Sequence, residues 1–533
     1  MTDRETTQVK SGAWRRGGEV GVQVGAMGCN DSGSSRRARP VPPRVAGSPF
    51  EVPLPVVEGE WVLLSDSLER AARDFGKVEY RRPAVVLLPA STEDICVAIR
   101  FARAHGIAVA ARGDAHSAGG QMLVEGGMVI DMTQLCRVHE LTPERIVVDA
   151  GISWRALLER TLALGSTPPV LTDWVDVTVG GTLSMGGLGF SSFWRGTQMD
   201  HVLELEVITG TGERVVCSPS VRPDLFDGVR GTHGQMALIV RATIPLEPAP
   251  ETISVTQAAY GDADLLMKDL RGALTARHAD YVHALATPRT MEALTTRLNS
   301  SEPMCVDEAR AVDALSSDGG AWVYQLELAT PVVSGQRGRD AIEMSPGALP
   351  GLRDTWEMPF RDFVLRIPPL IAEEARRGAA PHPELILWVP DQATQPLLVD
   401  AFEELDPVED IGEGPVLIFA LRKSVVTAPF YALPEVGDLC FFFGLLRRAE
   451  PGTEARVREL RRDNERRYQA ALEYGAGRYV CDTPPTERSE AEKFWPRHYG
   501  SSWGEMCERK RSHDPASLFR STWGAYVAVE ASR

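Results

Sequence analysis

Two glycine-rich stretches hold the residues whose types and spacing could do chemistry. The first, R-G-D-A-H-S-A-G-G-Q over residues 112–121, follows an apolar run and carries one imidazole, His116. Small residues there let backbone N–H groups approach an anion closely, as a pyrophosphate cradle requires. The pattern is not G-x-G-x-x-G, so it gives no support to a Rossmann site, and alone it reads first as a plain glycine-rich turn. The second, T-D-W-V-D-V-T-V-G-G-T-L-S-M-G-G-L-G-F over 172–190, sets the carboxylate of Asp173 between Thr172 and Trp174. A β-branched segment, expected to be a strand, and then alternating small residues come next. Gly180, Gly181, Thr182, Ser184 and Gly186 would let the chain lie flat against a planar ring system, with hydroxyls and amides to donate. Such a run is costly in conformational entropy unless a ligand contacts it. Desolvation beside Trp174 would raise the pKa of Asp173 and make it a better proton acceptor. A hydrogen-bonded loop histidine and a turn or cap carboxylate are the readings of His116 and Asp173 that require no ligand.

These stretches need elements to hold them. A-V-V-L-L-P (84–89) reads as a strand. Ser91 then caps a helix, with Asp94 at the position where a capping box prefers Glu or Gln, and Gly106 ends it. I-A-V-A-A-R (107–112) is a strand that runs directly into the first glycine-rich stretch, and residues 128–132 and 146–151 are further strands. W-R-A-L-L-E-R-T-L-A-L-G is a helix closed by Gly165. Strand and helix mixed with short links indicate an α+β or α/β unit reaching to about Pro250. Beyond it the glycine clusters cease. V-L-I-F-A-L (416–421) and L-C-F-F-F-G-L-L (439–446) read as buried strands, and residues 454–474 as a long, charge-laced helix.

Composition narrows the function classes. A chain of 533 residues exceeds one hydrophobic unit, so two folded domains plus tails are expected. Lys and Arg number 57 against 73 Asp and Glu, a formal net charge of −16, which argues against a nucleic-acid partner. No apolar run approaches the roughly 20 residues of a membrane span. The eight cysteines are scattered, without C-x-x-C or His/Cys metal spacing, so free thiols and no metal site are expected. Residues 1–48 are rich in Gly, Ser, Arg and Pro and are expected to be a disordered tail. Arg15-Arg16 and the segment to Cys29 resemble a degenerate twin-arginine export signal, but the apolar part is short and interrupted. A cytoplasmic location is therefore the expectation, with export the alternative.

Taken together the motifs become specific. R-G-x-x-H-S-x-x-G-Q and T-D-x-x-x-x-T-V-G-G-T-L-S resemble the FAD-binding module of the vanillyl-alcohol oxidase and p-cresol methylhydroxylase superfamily, and most of all cytokinin dehydrogenase. Further matches are R-G-T-Q-M-D-H-V-L-E-L-E-V-I-T-G-T-G-E (195–213), D-L-F-D-G-V-R-G (224–231), P-H-P (381–383), W-x-x-x-x-x-x-K (503–510) and D-P (514–515). The similarity is strongest over about residues 79–250. It implies an α+β, two-domain fold: a PCMH-type FAD-binding domain at 49–250, a substrate-binding cap at 251–481, and a segment at 482–533 returning to complete the FAD domain. The cap is expected to be an antiparallel sheet flanked by helices.

Carried over by position, the resemblance implies that His116 bonds FAD covalently and Asp173 is the catalytic base. Arg112, Gly113, Asp114, Ala115, Ser117 and Gln121 would line the diphosphate and ring loop. Thr178, Gly180, Gly181, Thr182, Ser184, Leu188, Ile239 and Phe494 would lie at the cofactor, and His283 at the substrate. A neutral imidazole suits the first role, since the tether needs a nucleophile, and the bond would tune the flavin and prevent its loss. The implied reaction removes a substrate N–H or O–H proton to Asp173 and passes a hydride from the adjacent carbon to the flavin. An electron acceptor such as oxygen or a quinone would then reoxidise it.

The chain departs from the family at identifiable places. Ala115 stands where the family has glycine before the linking histidine. His283 replaces a glutamate that grips the substrate's purine ring, which exchanges a carboxylate acceptor for an imidazole. Phe494 stands where tyrosine is common, and F-R-S-T-W-G (519–524) lacks the usual Pro-Gly-Gln tail. Three functions are compatible with these residues: oxidation of a C–N bond in a cytokinin-like amine, oxidation of an alcohol or sugar, or flavin binding without redox turnover.

Overall fold

The computed structural model describes residues 49–277, 279–289, 320–332, 353–367, 380–412, 414–450 and 452–520. The expected N-terminal tail and export-like segment lie outside them, as does the chain end beyond Arg520.

The first half opens with β1 (Glu60–Val62), β2 (Val85–Leu88), β3 (Val109–Arg112) and β4 (Met128–Asp131), forming a sheet in the order β1-β2-β4-β3. Helix α1 (Ser65–Ala71) precedes β2, and α2 (Thr92–His105) crosses from β2 to β3. β2 and β3 both pair in parallel with β4. The helix bounds match the sequence reading: Ser91 and Asp94 close a reciprocal capping box, and Gly106 ends the helix at φ +66°. Aspartate serves in the box because its carboxylate also accepts from the backbone N–H groups of Glu58, Gly59 and Ala90. The apolar face of α2, with Ile95, Ala98, Ile99 and Ala102, packs on Val85, Leu87, Met128 and Ile130.

A second sheet has the order β5-β6-β10-β8-β9, from β5 (Val138–Leu141), β6 (Arg145–Asp149), β8 (Glu204–Thr209), β9 (Arg214–Cys217) and β10 (Ala237–Pro245). The short strands β7 (Ser166–Thr167) and β11 (Glu247–Pro248) pair with each other. Helix α3 (Trp154–Leu162) leaves β6 and is capped by Ser153. Here one expectation is corrected. The β-branched segment after Asp173 is not a strand, and the glycine-rich run after it is α4 (Val179–Met185), capped by Thr178. The reason is close packing. Gly180 N–H donates to Ala150 O at 2.7 Å, and a Cβ on Gly180 would lie 2.8 Å from the Ala150 methyl. Glycine lets the first helical turn press onto the chain after β6.

Beyond Pro250 an eight-stranded sheet runs β15-β12-β14-β13-β17-β18-β16-β19. Its strands are β12 (Thr252–Tyr260), β13 (Tyr281–Pro288), β14 (Trp322–Pro331), β15 (Arg353–Pro359), β16 (Leu385–Pro390), β17 (Val416–Arg422), β18 (Leu439–Leu445) and β19 (Gly477–Arg478). Every pairing in it is antiparallel. Helix Ala263–Ala276 buries Leu266, Met267, Leu270 and Leu274 against it. One apolar cluster joins this sheet to the first half, running from Val148, Leu157 and Val179 to Leu326, Ile418 and Phe443.

The last described residues return to the first sheet. Phe519 makes a parallel bridge with Val109, and Leu518 and Phe519 enter the cluster around β2 and β4. Lys510, with its charge out of water, donates to Asp514 at 2.6 Å, to Phe519 O at 3.1 Å and to Gln235 O. The lysine of W-x-x-x-x-x-x-K and the aspartate of D-P thus form a buried clamp. The cysteine expectation is also corrected: Cys96, Cys217, Cys440, Cys481 and Cys507 are free, but Cys136 is disulfide-bonded.

Candidate active site

The turn after β3 is held from two sides. Ala118 N–H donates to Cys481 O at 2.9 Å, and the Gln121 amide donates to Val480 O and Asp482 O at 2.8 and 2.9 Å. Asp74 accepts from Gly120 N–H, and Ala115 O accepts from Phe75 N–H at 2.8 Å. Ala115 itself is left-handed at φ +62°, a conformation that favours glycine. Among the described residues the backbone N–H groups of residues 114–117 find no acceptor. Four successive unpaired amides in a concave turn suit an anion.

His116 projects from this turn between two aromatic rings. Its ring centroid is 4.5 Å from Phe75 and 5.2 Å from Trp174, the latter at an interplanar angle of 11°. Phe75 in turn stacks on His382 at 4.4 Å. Burial lowers the His116 pKa to about 4, so its imidazole is neutral with a free lone pair.

The segment carrying Asp173 is anchored by the residues just after it. Val175 O and Val177 O accept from the N–H groups of Arg155 and Trp154 at the start of α3, and Arg155 pairs with Asp176. Asp173 Oδ1 is buried with no hydrogen-bond partner among the described residues. Burial raises its pKa to about 8, with Arg366 pulling down and Glu327 pushing up. A carboxyl left unsatisfied at such a cost awaits a partner from the cavity.

One cavity of about 570 Å³ joins these groups. Gly113, Asp114, Ala115, His116, Ser117 and Gln121 line it from the first turn. Asp173, Thr178, Gly180, Gly181, Thr182 and Ser184 line it from the second stretch, with Leu188 and Ile239. His283, Leu285, Leu417, Phe419, Phe442 and Leu446 come from the eight-stranded sheet and its margins. Two expected residues stand apart. The Arg112 side chain turns to the carbonyl of Arg73, and Phe494 packs among Tyr468, Trp495 and His498; neither lines the cavity. The hydroxyls expected to face a ligand are engaged internally: Ser184 donates to Gly180 O at 2.8 Å, and Thr182 accepts from the Trp154 indole at 2.8 Å. α4 therefore offers the cavity its backbone and a smooth surface.

His283 is buried on β13, sandwiched between Phe190 at 4.5 Å and Phe419 at 5.2 Å. Burial lowers its pKa to about 3, and its Nε2 has no partner among the described residues. Phe75, Phe190, Phe419, Glu327 and Arg366 were not singled out from sequence. Alternation in V-L-I-F-A-L puts Leu417 and Phe419 on one strand face, but only the pairing of β17 with β13 turns that face to the cavity.

These residues fit FAD. The cavity pairs an anion-suited turn with a neutral, buried imidazole and a helix surface smoothed by glycine, beside a carboxyl. The comparisons with known proteins agree. A family model described as an FAD binding domain matches residues 83–218, and one described as cytokinin dehydrogenase 1, FAD and cytokinin binding, matches residues 250–523. An uncharacterized oxidoreductase in the fasciation locus of Rhodococcoides fascians is 31% identical over 86% of this chain and 97% of its own length. Cytokinin dehydrogenase 10 of Oryza sativa subsp. japonica is 31% identical over 86% of this chain and 87% of its own length. Cytokinin dehydrogenase 1 of Arabidopsis thaliana is 28% identical over 88% and 84%.

Proposed function

The chain belongs to the cytokinin dehydrogenase family of FAD-dependent oxidoreductases, and from that premise we propose that it oxidises a C–N bond in a small, largely apolar amine, with His116 tethering the FAD and Asp173 as base. The observation that carries this reading is that His116 and Asp173 line one cavity, with the ring of Trp174, the residue after Asp173, stacked on His116. FAD, when bound, supplies the acceptor for the hydride that leaves the substrate carbon.

The protein's own groups do the rest. The neutral His116 lone pair would hold FAD through a bond that replaces one hydrogen on the flavin's methyl carbon, with two protons and two electrons lost to the same external acceptor, and the amides of residues 114–117, free among the described residues, would receive the diphosphate. Asp173 in its ionised form takes the substrate's N–H proton, so loss of a proton and a hydride leaves an imine. Phe190, Leu285, Leu417, Phe419 and Leu446 keep water from that proton transfer and receive an apolar body. These walls support an amine better than an oligosaccharide, whose hydroxyls would go unpaired against them. The unpaired Asp173 oxygen likewise favours turnover over mere flavin storage. The two electrons leave to oxygen or a quinone-like acceptor.

The test has two arms. Acid-precipitated holoprotein should give a yellow pellet, with flavin mass on the peptide containing His116. Anaerobic mixing with isopentenyladenine, benzylic alcohols and oligosaccharides should bleach the flavin with the amine. A colourless protein that takes up no FAD would overturn the reading, as would reduction by dithionite alone.

A further inference from the structure

No step of the oxidation uses the ion pair on the eight-stranded sheet that shares Phe190 with Asp173. Glu327 on β14 bonds Arg366, just past the helix Phe360–Leu365, with side chains only 4% and 2% exposed. Arg366 is fixed in place: it donates to Phe363 O at 2.8 Å, and its guanidinium lies 3.9 Å from the Phe363 ring centroid and 5.2 Å from that of Phe190. Glu327 commits only Oε1 to the arginine; Oε2 is buried without a partner among the described residues. Glu327 stands opposite His283 in the β13–β14 register, so both project from one sheet face. Phe190 links the set, since it stacks on His283, lies beside Arg366 and shares with Asp173 the walls of the main cavity and a small side chamber. Compared with apolar residues of similar shape, a buried ion pair contributes little to stability. Its location is what needs explaining.

We propose that the Glu327–Arg366 pair is a positioning element that presents a cation to Asp173, restrains that cation through Glu327, and so sets the pH at which the base becomes competent. This rests on the reading of Asp173 as the base. The fields act in opposite senses, with Arg366 favouring the carboxylate more strongly than Glu327 opposes it. Of the other titratable groups lining the cavity, Asp114 of the turn is pushed up to about 6 by burial and is still charged near neutrality, whereas the histidines and the tyrosine nearest Asp173 are uncharged. His116 from the turn and His283 from β13 are kept neutral by burial, and the Tyr281 hydroxyl across the side chamber is pushed up by burial. Among the described residues, Arg366 and Glu327 are the charges that act on Asp173.

The experiment uses substrate-free holoenzyme and follows its visible flavin absorbance against pH, which a carboxylate ionising in the cavity perturbs. The pH dependence of flavin reduction by isopentenyladenine is recorded beside it. Glu327→Gln should move the midpoint down and Arg366→Met should move it up, each by about one pH unit. Arg366→Lys, which keeps the cation, should stay near the wild type. The double variant Glu327→Gln/Arg366→Met leaves no buried charge unpaired and guards against misfolding of the single ones. Its midpoint should lie above the wild type and below Arg366→Met. Shifts in one common direction, or a double variant at the wild-type midpoint, would overturn the proposal. Asp173→Asn separates the two readings: if it keeps the transition, Asp173 is not the base; if it loses the transition and the pair variants do not split, only the positioning role falls.

Discussion

His116 lies flat against Trp174, with ring centroids 5.2 Å apart and planes 11° from parallel, so the residue proposed as flavin tether rests on the neighbour of Asp173, the residue proposed as base. An indole in this position limits the rotation of the imidazole.

Loosening that stack should weaken the tether before the fold. An aromatic pair of this kind contributes about 0.5–1.5 kcal/mol beyond its buried area. Trp174→Ala should lower the fraction of flavin that stays with the protein after denaturation, and Trp174→Phe should restore most of it. In-gel flavin fluorescence against total bound flavin reads this directly.

Activity should rise with pH. Asp173 accepts a proton only when ionised, and burial holds its pKa at about 8, so flavin reduction should climb through pH 7–9 and fall below. Asp173→Asn should slow reduction by about 10²- to 10⁴-fold. Stability runs the other way. The folded protein holds this proton more tightly than the unfolded chain, so the wild type loses stability as pH rises from about 4 through 8. The gain in Tm on Asp173→Asn should therefore grow across that window.

Ala115 tests the backbone of the first turn. At φ +62° an alanine carries about 1 kcal/mol of strain that glycine lacks. Ala115→Gly should change stability little or raise it slightly, because the added chain entropy offsets the relief. Ala115→Val, branched at Cβ in the same conformation, should destabilise by more and reduce FAD uptake. Thermal melts with and without added FAD separate the two.

The cavity face of His283 should govern binding more than rate. Its Nε2 is buried and has no partner among the described residues, and a hydrogen bond to a ligand there would contribute about 0.5–1.5 kcal/mol. His283→Phe should raise KM for a polar-ended amine by up to about 10-fold and leave kcat within a few-fold. Equal losses in kcat and kcat/KM would place His283 in the reaction itself.

Lys510 is the structural counterpart. Its ammonium is held by Asp514, Gln235 and Phe519 with no exposure to water. Lys510→Met should cost about 3–5 kcal/mol by leaving Asp514 buried and unpaired. Denaturant unfolding should show it, and Lys510→Met/Asp514→Leu should recover part of the loss.

Much of this is legible along the chain because the signals are local. The capping box at Ser91, the strand that delivers His116 and the buried strand at 439–445 come from side-chain period and end chemistry within a few residues. The second glycine-rich run departs from its extended reading for a non-local reason. Gly180 answers to the close approach of Ala150, which lies thirty positions earlier and which no propensity encodes.

By itself the sequence determined the family, the FAD chemistry, and that His116 and Asp173 are the residues to watch, since those rest on residue identity at short spacing. Only the tertiary structure decided what surrounds Asp173. His283, Glu327 and Arg366 come from strands and a helix end 110 to 193 residues away in sequence. Their encounter depends on strand register, where a slip of one residue turns each side chain to the opposite face. A charge's effect on its neighbour depends on that distance and on the water excluded between them.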